Sequence, residues 1–204
     1  MKKIILICGL VIVGLCSIIF FVTAYSAQSK HEIALDAFLT DWGTYEYANT
    51  PWRSTIDVVE KRLGKKLGNR YETMPGIESY TLDNYFTYES IPVRARFEFA
   101  DGKLQEIHFS FMPSDGDVDA LFSKLAASLN ETYGEASAMT GGSSDDAPTA
   151  DEIREIFGSS IESTGYVWET SAVGRPKTIL QLTNISLRGS NGSIGLAIGE
   201  VRIP

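Results

Sequence analysis

The run Asp115-Gly116-Asp117-Val118-Asp119 sets carboxylates at i, i+2 and i+4, the spacing with which a calcium loop begins. Such a loop needs glycine at its sixth position and a bidentate glutamate at its twelfth, and Ala120 and Ala126 stand there. The three acids fit better as the first turn of a helix opened by Ser114, near the positive end of the helix dipole. His31 and His108 are the only histidines, and neither lies in a GxSxG or HExxH pattern. His108 falls on the polar side of an alternating strand, which reads as a surface position. Asp145 and Asp146 sit in a Gly/Ser-rich stretch that cannot hold two carboxylates around a sugar. The Gly141-Gly142-Ser143-Ser144 run lacks the Lys-Ser/Thr of a phosphate loop. Asn130, Asn184 and Asn191 each open a glycosylation sequon, a motif too short to assign a role. No catalytic residue, metal site or cofactor is expected, and the reading is non-enzymatic.

Both cysteines, Cys8 and Cys16, lie inside the apolar run Ile4–Tyr25 that follows Lys2 and Lys3. The remainder has no thiol, which excludes a disulfide, a cysteine nucleophile or a thiolate metal site there. Twenty-two uncharged residues are long enough to cross a bilayer core as a helix. The flanking lysines place the N-terminus in the cytoplasm and the C-terminal domain outside it. The alternative is secretion after signal cleavage, because Val22-Thr23-Ala24 and Ala24-Tyr25-Ser26 offer small residues to a signal peptidase. Lipidation at Cys16 is disfavoured by Leu15, where a small residue belongs. With Lys2 and Lys3 set aside, 16 basic residues face 26 acidic ones, a formal charge of −10. Such a body is a poor nucleic-acid binder, since neutralising phosphates takes excess Lys and Arg.

Three segments are expected: residues 1–25 as the anchor or signal, 26–49 as a juxtamembrane helix and linker, and 50–204 as an α+β domain. Leu35, Phe38, Leu39 and Trp42 recur at helical spacing. Ser54 with Asp57 resembles a capping box, Ile56, Val59, Leu63 and Leu67 form one face, and Gly68 is the expected stop. Strands are expected at 80–88, through Val93, Ala95, Phe97 and Phe99, and through Ile107, Phe109 and Phe111. A second helix follows through Val118, Leu121, Phe122, Leu125 and Leu129 to Gly134, then a polar loop and a short helix between Thr149 and Gly158. Three closing strands lie near 166–171, 178–183 and 194–201. The order helix, three strands, helix, three strands predicts an antiparallel sheet with helices packed on one face, and looks like a weak duplication.

Strand parity constrains the hairpin around Asp101-Gly102. A two-residue loop in an uninterrupted ladder sets Phe97 against Glu106 and mixes the faces. A three-residue Ala100-Asp101-Gly102 loop with a bulge pairs Ala95 with Ile107 and Val93 with Phe109, and that register is the expectation.

Trp52, then Thr55, Val59, Leu63-Gly64, then Phe97-x-Phe99-x-Asp-Gly-Lys-Leu-x-x-Ile-x-Phe-x-Phe, Tyr133-Gly134-Glu135 and Trp168, together resemble a known group. Over roughly residues 50–200 the pattern is similar to small exported bacterial domains of the outer-membrane assembly lipoprotein type (SmpA/OmlA-like) and to the beta-lactamase inhibitory protein fold. The resemblance implies a helix-and-sheet binding module, membrane-tethered and without enzymatic activity. The group commonly carries glycine between the tryptophan and the helix cap, and Arg53 stands there. An anchor in place of a lipid-bearing cysteine points away from an outer-membrane role.

The expected function is binding of an envelope protein or peptide through the open sheet face. The candidate contacts are Tyr85, Tyr88, Arg94, Arg96, Tyr166 and Trp168, since exposed Tyr, Trp and Arg make good anchors. Lys61, Arg62, Lys65 and Lys66 form a second candidate, a basic docking face toward a membrane or an acidic partner. Two alternatives stand beside this: a small-molecule or lipid pocket between helices and sheet, and an inhibitor of a secreted enzyme acting through a loop at 137–149.

Overall fold

The computed structural model describes residues 31–113, 118–140, 161–170, 172–187 and 192–201. The expected anchor, residues 115–117 of the acidic run, the Thr149–Gly158 helix and most of the 137–149 loop lie outside the described residues. Among the described residues, no helix is long and apolar enough to cross a membrane.

The domain mixes helix and sheet, with sheet predominant. Among the described residues two α-helices, α1 (Ile56–Leu63) and α2 (Val118–Tyr133), accompany nine strands. The strands are β1 (His31–Glu32), β2 (Gly68–Met74), β3 (Ile77–Tyr88), β4 (Ile91–Ala100), β5 (Lys103–Phe111), β6 (Ser137–Thr140), β7 (Ile161–Thr170), β8 (Thr178–Leu187) and β9 (Ser193–Glu200). The sheet order is β1-β3-β4-β5-β9-β8-β7-β6, with β2 paired to β3. Among the described residues each of these helices is therefore followed by four strands and not three. The two halves join through their last strands, β5 and β9, which run antiparallel.

Of the three strands beyond those expected, β2 and β6 explain themselves. β2 reads GNRYETM and β6 reads SAMT, with no apolar alternation to mark them. Both are strands by virtue of backbone pairing to β3 and β7. The 137–149 loop accordingly begins as the edge strand β6.

The helical stripe at 31–42 does not become a helix. The segment makes a single 3-10 turn at Leu35–Ala37, and then folds back through a Leu39–Tyr45 bridge. One turn is enough to bury Leu35 and Phe38, while Leu39 and Trp42 stay 46% and 44% exposed. Tyr133 at the end of α2 holds the turn, its hydroxyl accepting from Phe38 N at 3.1 Å and donating to Leu35 O.

Helix α1 also differs in its ends. Ser54 Oγ donates to Pro51 O at 2.7 Å and is unavailable as a cap, so Thr55 takes that place without a side-chain bond. The helix stops at Gly64, whose φ of 64° is the left-handed conformation glycine adopts without a Cβ penalty. Gly68 instead opens β2. Arg53, where the resembling group carries glycine, has a φ of 64° too. Its guanidinium is held by Glu200 through bonds of 3.1 and 2.9 Å.

The β4–β5 hairpin obeys parity by a different device from the one expected. Ala100 pairs Lys103 across a two-residue turn, with Asp101 and Gly102 at φ 51° and 69°, the signs of a type I′ turn. Phe99 then faces Leu104, but Glu98 faces Glu106, so Gln105 is an extra residue in a bulge. Beyond it Phe97 meets Ile107, Ala95 meets Phe109 and Val93 meets Phe111. The expected pairs, Ala95 with Ile107 and Val93 with Phe109, are two residues out.

These registers send one apolar row inward from every central strand. Phe97, Phe109, Leu180, Leu182, Leu196 and Ile198 are fully buried, and Val59 of α1 and Leu125 and Leu129 of α2 join the same core. At its centre Tyr47 Phe86 and Phe109 pack edge to face, with ring centroids 5.0–5.8 Å apart, a geometry that favours the aromatic quadrupoles.

Candidate binding groove on the open sheet face

Alternation that turns Phe97 and Phe109 inward turns their neighbours outward. Arg94 and Arg96 of β4 stand beside Ser110 and His108 of β5, their direct partners across the ladder. Thr81 of β3 pairs Arg96 from the other side. Asp83, and Asn69 and Tyr71 from β2, complete the lining of a groove of about 460 Å³. Tyr71 is 40% exposed. Opposite Ser110, His108 and Glu106, β9 offers only Gly195, Ala197 and Gly199, so no large side chain rises from that strand.

The groove is charged on both signs. Arg94 donates to Asp83 Oδ1 at 2.5 Å. Arg96 Nε lies 3.1 Å from Glu98 Oε1, and His108 Nε2 lies 2.9 Å from Glu106 Oε1. Glu98 and Glu106 are themselves cross-strand partners, as are Arg96 and His108. Like charges directly opposite each other repel, and the two i, i+2 contacts along β4 and β5 offset this by placing each carboxylate beside a guanidinium or imidazole of its own strand. Arg96 Nε is buried and makes no hydrogen bond, only the ion contact with Glu98. Its donor is aimed without a well-formed acceptor.

Glu98, Glu106 and His108 also bring three donor atoms within 4.8 Å of one another, enough to face one divalent cation. The guanidinium of Arg96 beside Glu98 opposes a second positive charge there. His108 and Glu106 make up two parts of an acid–base site, but no hydroxyl or thiol among the described residues hydrogen-bonds His108. The groove presents guanidinium, imidazole, hydroxyl and amide groups on adjacent strands, groups that can hydrogen-bond carboxylates or peptide carbonyls.

The six residues expected to form the contact surface divide between the two faces. Arg94 and Arg96 line the groove. Tyr88 and Trp168 are buried, at 7% and 3% exposure, and do not belong to the open face. Tyr88 packs on Phe111 with ring centroids 5.8 Å apart, and Trp168 donates its indole N–H to Gly134 O at 2.9 Å. Tyr166 is half-buried and stacked on Phe122 of α2 at 5.7 Å. Tyr85 lies in the irregular stretch of β3 between Leu82 and Phe86, and its hydroxyl donates to Leu63 O of α1 at 3.2 Å. Strand propensity does not say which face an aromatic takes, and parity and helix packing claim these four for the other face. His108, Ser110, Thr81 and Asp83 were missed as groove residues. Their parity with Arg94 and Arg96 was the available signal for the first two.

The basic candidates also separate. Lys61 and Arg62 are exposed on α1, and Lys65 Nζ sits 5.6 Å from the Tyr85 ring centroid. Lys66 is tied to Glu60, whose other oxygen accepts from Leu67 N at 2.9 Å. The hydrogen bond from Lys66 holds the Glu60 carboxyl below its ordinary range.

Compared with known proteins, the chain matches no family model, no curated protein and no solved structure.

Proposed function

We propose that the domain is a membrane-anchored, extracytoplasmic binding module of the cell envelope, non-catalytic, that takes a protein or peptide on its open sheet face. The observation that carries this reading is the groove itself. About 460 Å³ of open trough is lined by side chains from β2, β3, β4 and β5, with both arginines expected for contact. An open, polar trough on strands suits an extended peptide better than a small apolar ligand, which needs an enclosed apolar cavity. The opposite face is occupied by the helices and by a closely packed aromatic cluster, which weighs against the alternative of a lipid pocket between helices and sheet. The module reading also agrees with what the resemblance to exported assembly and inhibitory domains implies.

The test is site-specific photo-crosslinking of the full chain in its native membrane. A crosslinker replacing Tyr71 or Ser110 is expected to capture a partner that the same probe at Arg175, away from the groove, does not. Adding Arg94→Gln and Arg96→Gln is expected to reduce capture at least about fivefold, since losing charge-assisted bonds costs on the order of 1–3 kcal/mol. Equal capture from all three positions, or capture unaffected by the double substitution, refutes the groove.

A further inference from the structure

Five cations, Lys61, Arg62, Lys65, Lys66 and Arg70, fall within ten residues of a body whose formal charge is −10. Their surroundings distinguish them. Lys66 is bound to Glu60, and Arg70 donates to Glu78 Oε1 at 2.6 Å. Lys61, Arg62 and Lys65 take part in no ion pair among the described residues. Val58, Lys61 and Arg62 follow the i, i+3, i+4 spacing of a single helix face, turned away from buried Val59. Val58 is itself 40% exposed.

The position of this face matters as much as its charge. The end of α1 is pinned to β3 by Tyr85, which bonds Leu63 O and lies under Lys65. Two residues farther along β3, Thr87 O accepts from Ile33 N at 2.8 Å and Thr87 Oγ1 donates to Glu32 at 2.9 Å. The chain thus enters the domain at Glu32, on the edge of β3 beside the basic end of α1. Residues 26–31, between the apolar run and Glu32, can span at most about 20 Å. Attraction to headgroups fades over a Debye length of about 8 Å, so only cations held near the point of entry can use it.

We propose that Lys61 and Arg62 on the outward face of α1, with Lys65 just beyond its end, dock the domain on anionic phospholipid headgroups of the membrane that holds the N-terminal run. The tether makes this contact intramolecular, so a few weak charge interactions suffice. The acidic remainder is repelled by the same surface, and attraction at one end with repulsion elsewhere orients the domain. Because α1 packs on the face opposite Arg94 and Arg96, docking turns the groove away from the bilayer and toward a partner. The docking rests on the anchored reading, but not on what the groove binds.

The experiment uses the full chain carrying Cys8→Ser, Cys16→Ser and Val58→Cys, labelled at position 58 and reconstituted into bilayers with acceptor-tagged headgroups. Energy transfer is expected to rise when phosphatidylglycerol is added to phosphatidylcholine, and to fall in about 1 M salt, where the Debye length is about 3 Å. Lys61→Gln with Arg62→Gln and Lys65→Gln is expected to lower the docked-to-free ratio at least about tenfold. Lys61→Arg with Lys65→Arg keeps the charge and is expected to keep the transfer. Transfer that ignores phosphatidylglycerol, or is the same in the neutralised variant, overturns the docking. So does an intact mass showing that the chain in its native membrane lacks residues 1–25. Arg94→Gln with Arg96→Gln is expected to leave transfer unchanged, so a failed groove and a failed docking face are told apart.

Discussion

Deletion of Gln105 is expected to be tolerated, whereas deletion of His108 three residues later on the same strand is not. The bulge at Gln105 is what reconciles a two-residue turn with an inward row of Leu104, Ile107 and Phe109. Removing Gln105 joins Leu104 directly to Glu106, and strict alternation then keeps Leu104 inward, Glu106 outward and Ile107 inward. Removing His108 has no such escape. If the turn side of β5 holds its register, Phe109 and Phe111 point outward; if the far side holds with the bulge kept, Leu104 and Ile107 do, and if the bulge is lost Ile107 points outward while the Glu106 carboxylate is forced inward. All four apolar residues are at most 3% exposed in the native fold. Exposing two such side chains costs about 3–6 kcal/mol at roughly 1.5–3 kcal/mol each. That is a large fraction of the ~5–15 kcal/mol by which domains are stable. Deleting Gln105 forfeits only local twist and is expected to cost about 1 kcal/mol or less. Urea unfolding followed by the fluorescence of buried Trp168 measures both. With a slope of about 2 kcal/mol/M, the His108 deletion lowers the midpoint by about 1.5–3 M and the Gln105 deletion by under about 0.5 M. His108→Ala serves as the control for the lost Glu106 contact. If the two deletions differ by less than about 1 kcal/mol, the bulge is not the device that sets the register.

Two further outcomes follow from local chemistry. Burial pushes the Tyr45 and Tyr47 phenols up to about 12. A raised folded value favours the protonated form, so their contribution to stability is intact below about pH 10 and is lost as pH rises from about 10 to about 12. Difference titration of phenolate absorbance against Tyr45→Phe and Tyr47→Phe, with circular dichroism alongside, should find neither group ionised near pH 10 in the folded state; native-like ionisation there contradicts the burial. At Gly43, φ is 78° and a Cβ would stand 3.3 Å from Ala172 Cβ, whereas at Gly174, with φ 73°, it would meet nothing within 4 Å. Gly43→Ala is therefore expected to cost about 1–2 kcal/mol in thermal unfolding and Gly174→Ala less, and a reversed order argues against close packing of these two turns.

Much of the architecture was legible because its signals are local. Alternation in 93–99 and 107–111 marked β4 and β5, and the stripe from Val118 to Leu129 marked α2, since each pattern is written in consecutive residues. The absence of thiols outside the apolar run and the acidic charge of the body likewise follow from composition. Parity even told that Phe97 must face an odd-numbered apolar residue. The sequence did not reveal that the bulge would lie at Gln105, which depends on a ladder already closed on its far side by β9. Nor did it reveal β2 and β6, whose polar side chains say nothing and whose backbones pair only once β3 and β7 exist.

The candidate site divides in the same way. The sequence alone placed Arg94 and Arg96 on a polar strand face, because period-two alternation depends on nothing beyond the strand itself. It could not decide which aromatics were surface. Tyr88 and Trp168 read like contact residues, yet Phe111 and the carbonyl of Gly134 were waiting for them. Only the tertiary structure brought Asn69, Tyr71 and Asp83 to the arginines, tied Lys66 to Glu60 while sparing Lys61 and Arg62, and set the basic end of α1 beside the chain's entry at Glu32. Those facts are distances between residues far apart in sequence, and such distances exist only once the helices and strands have packed.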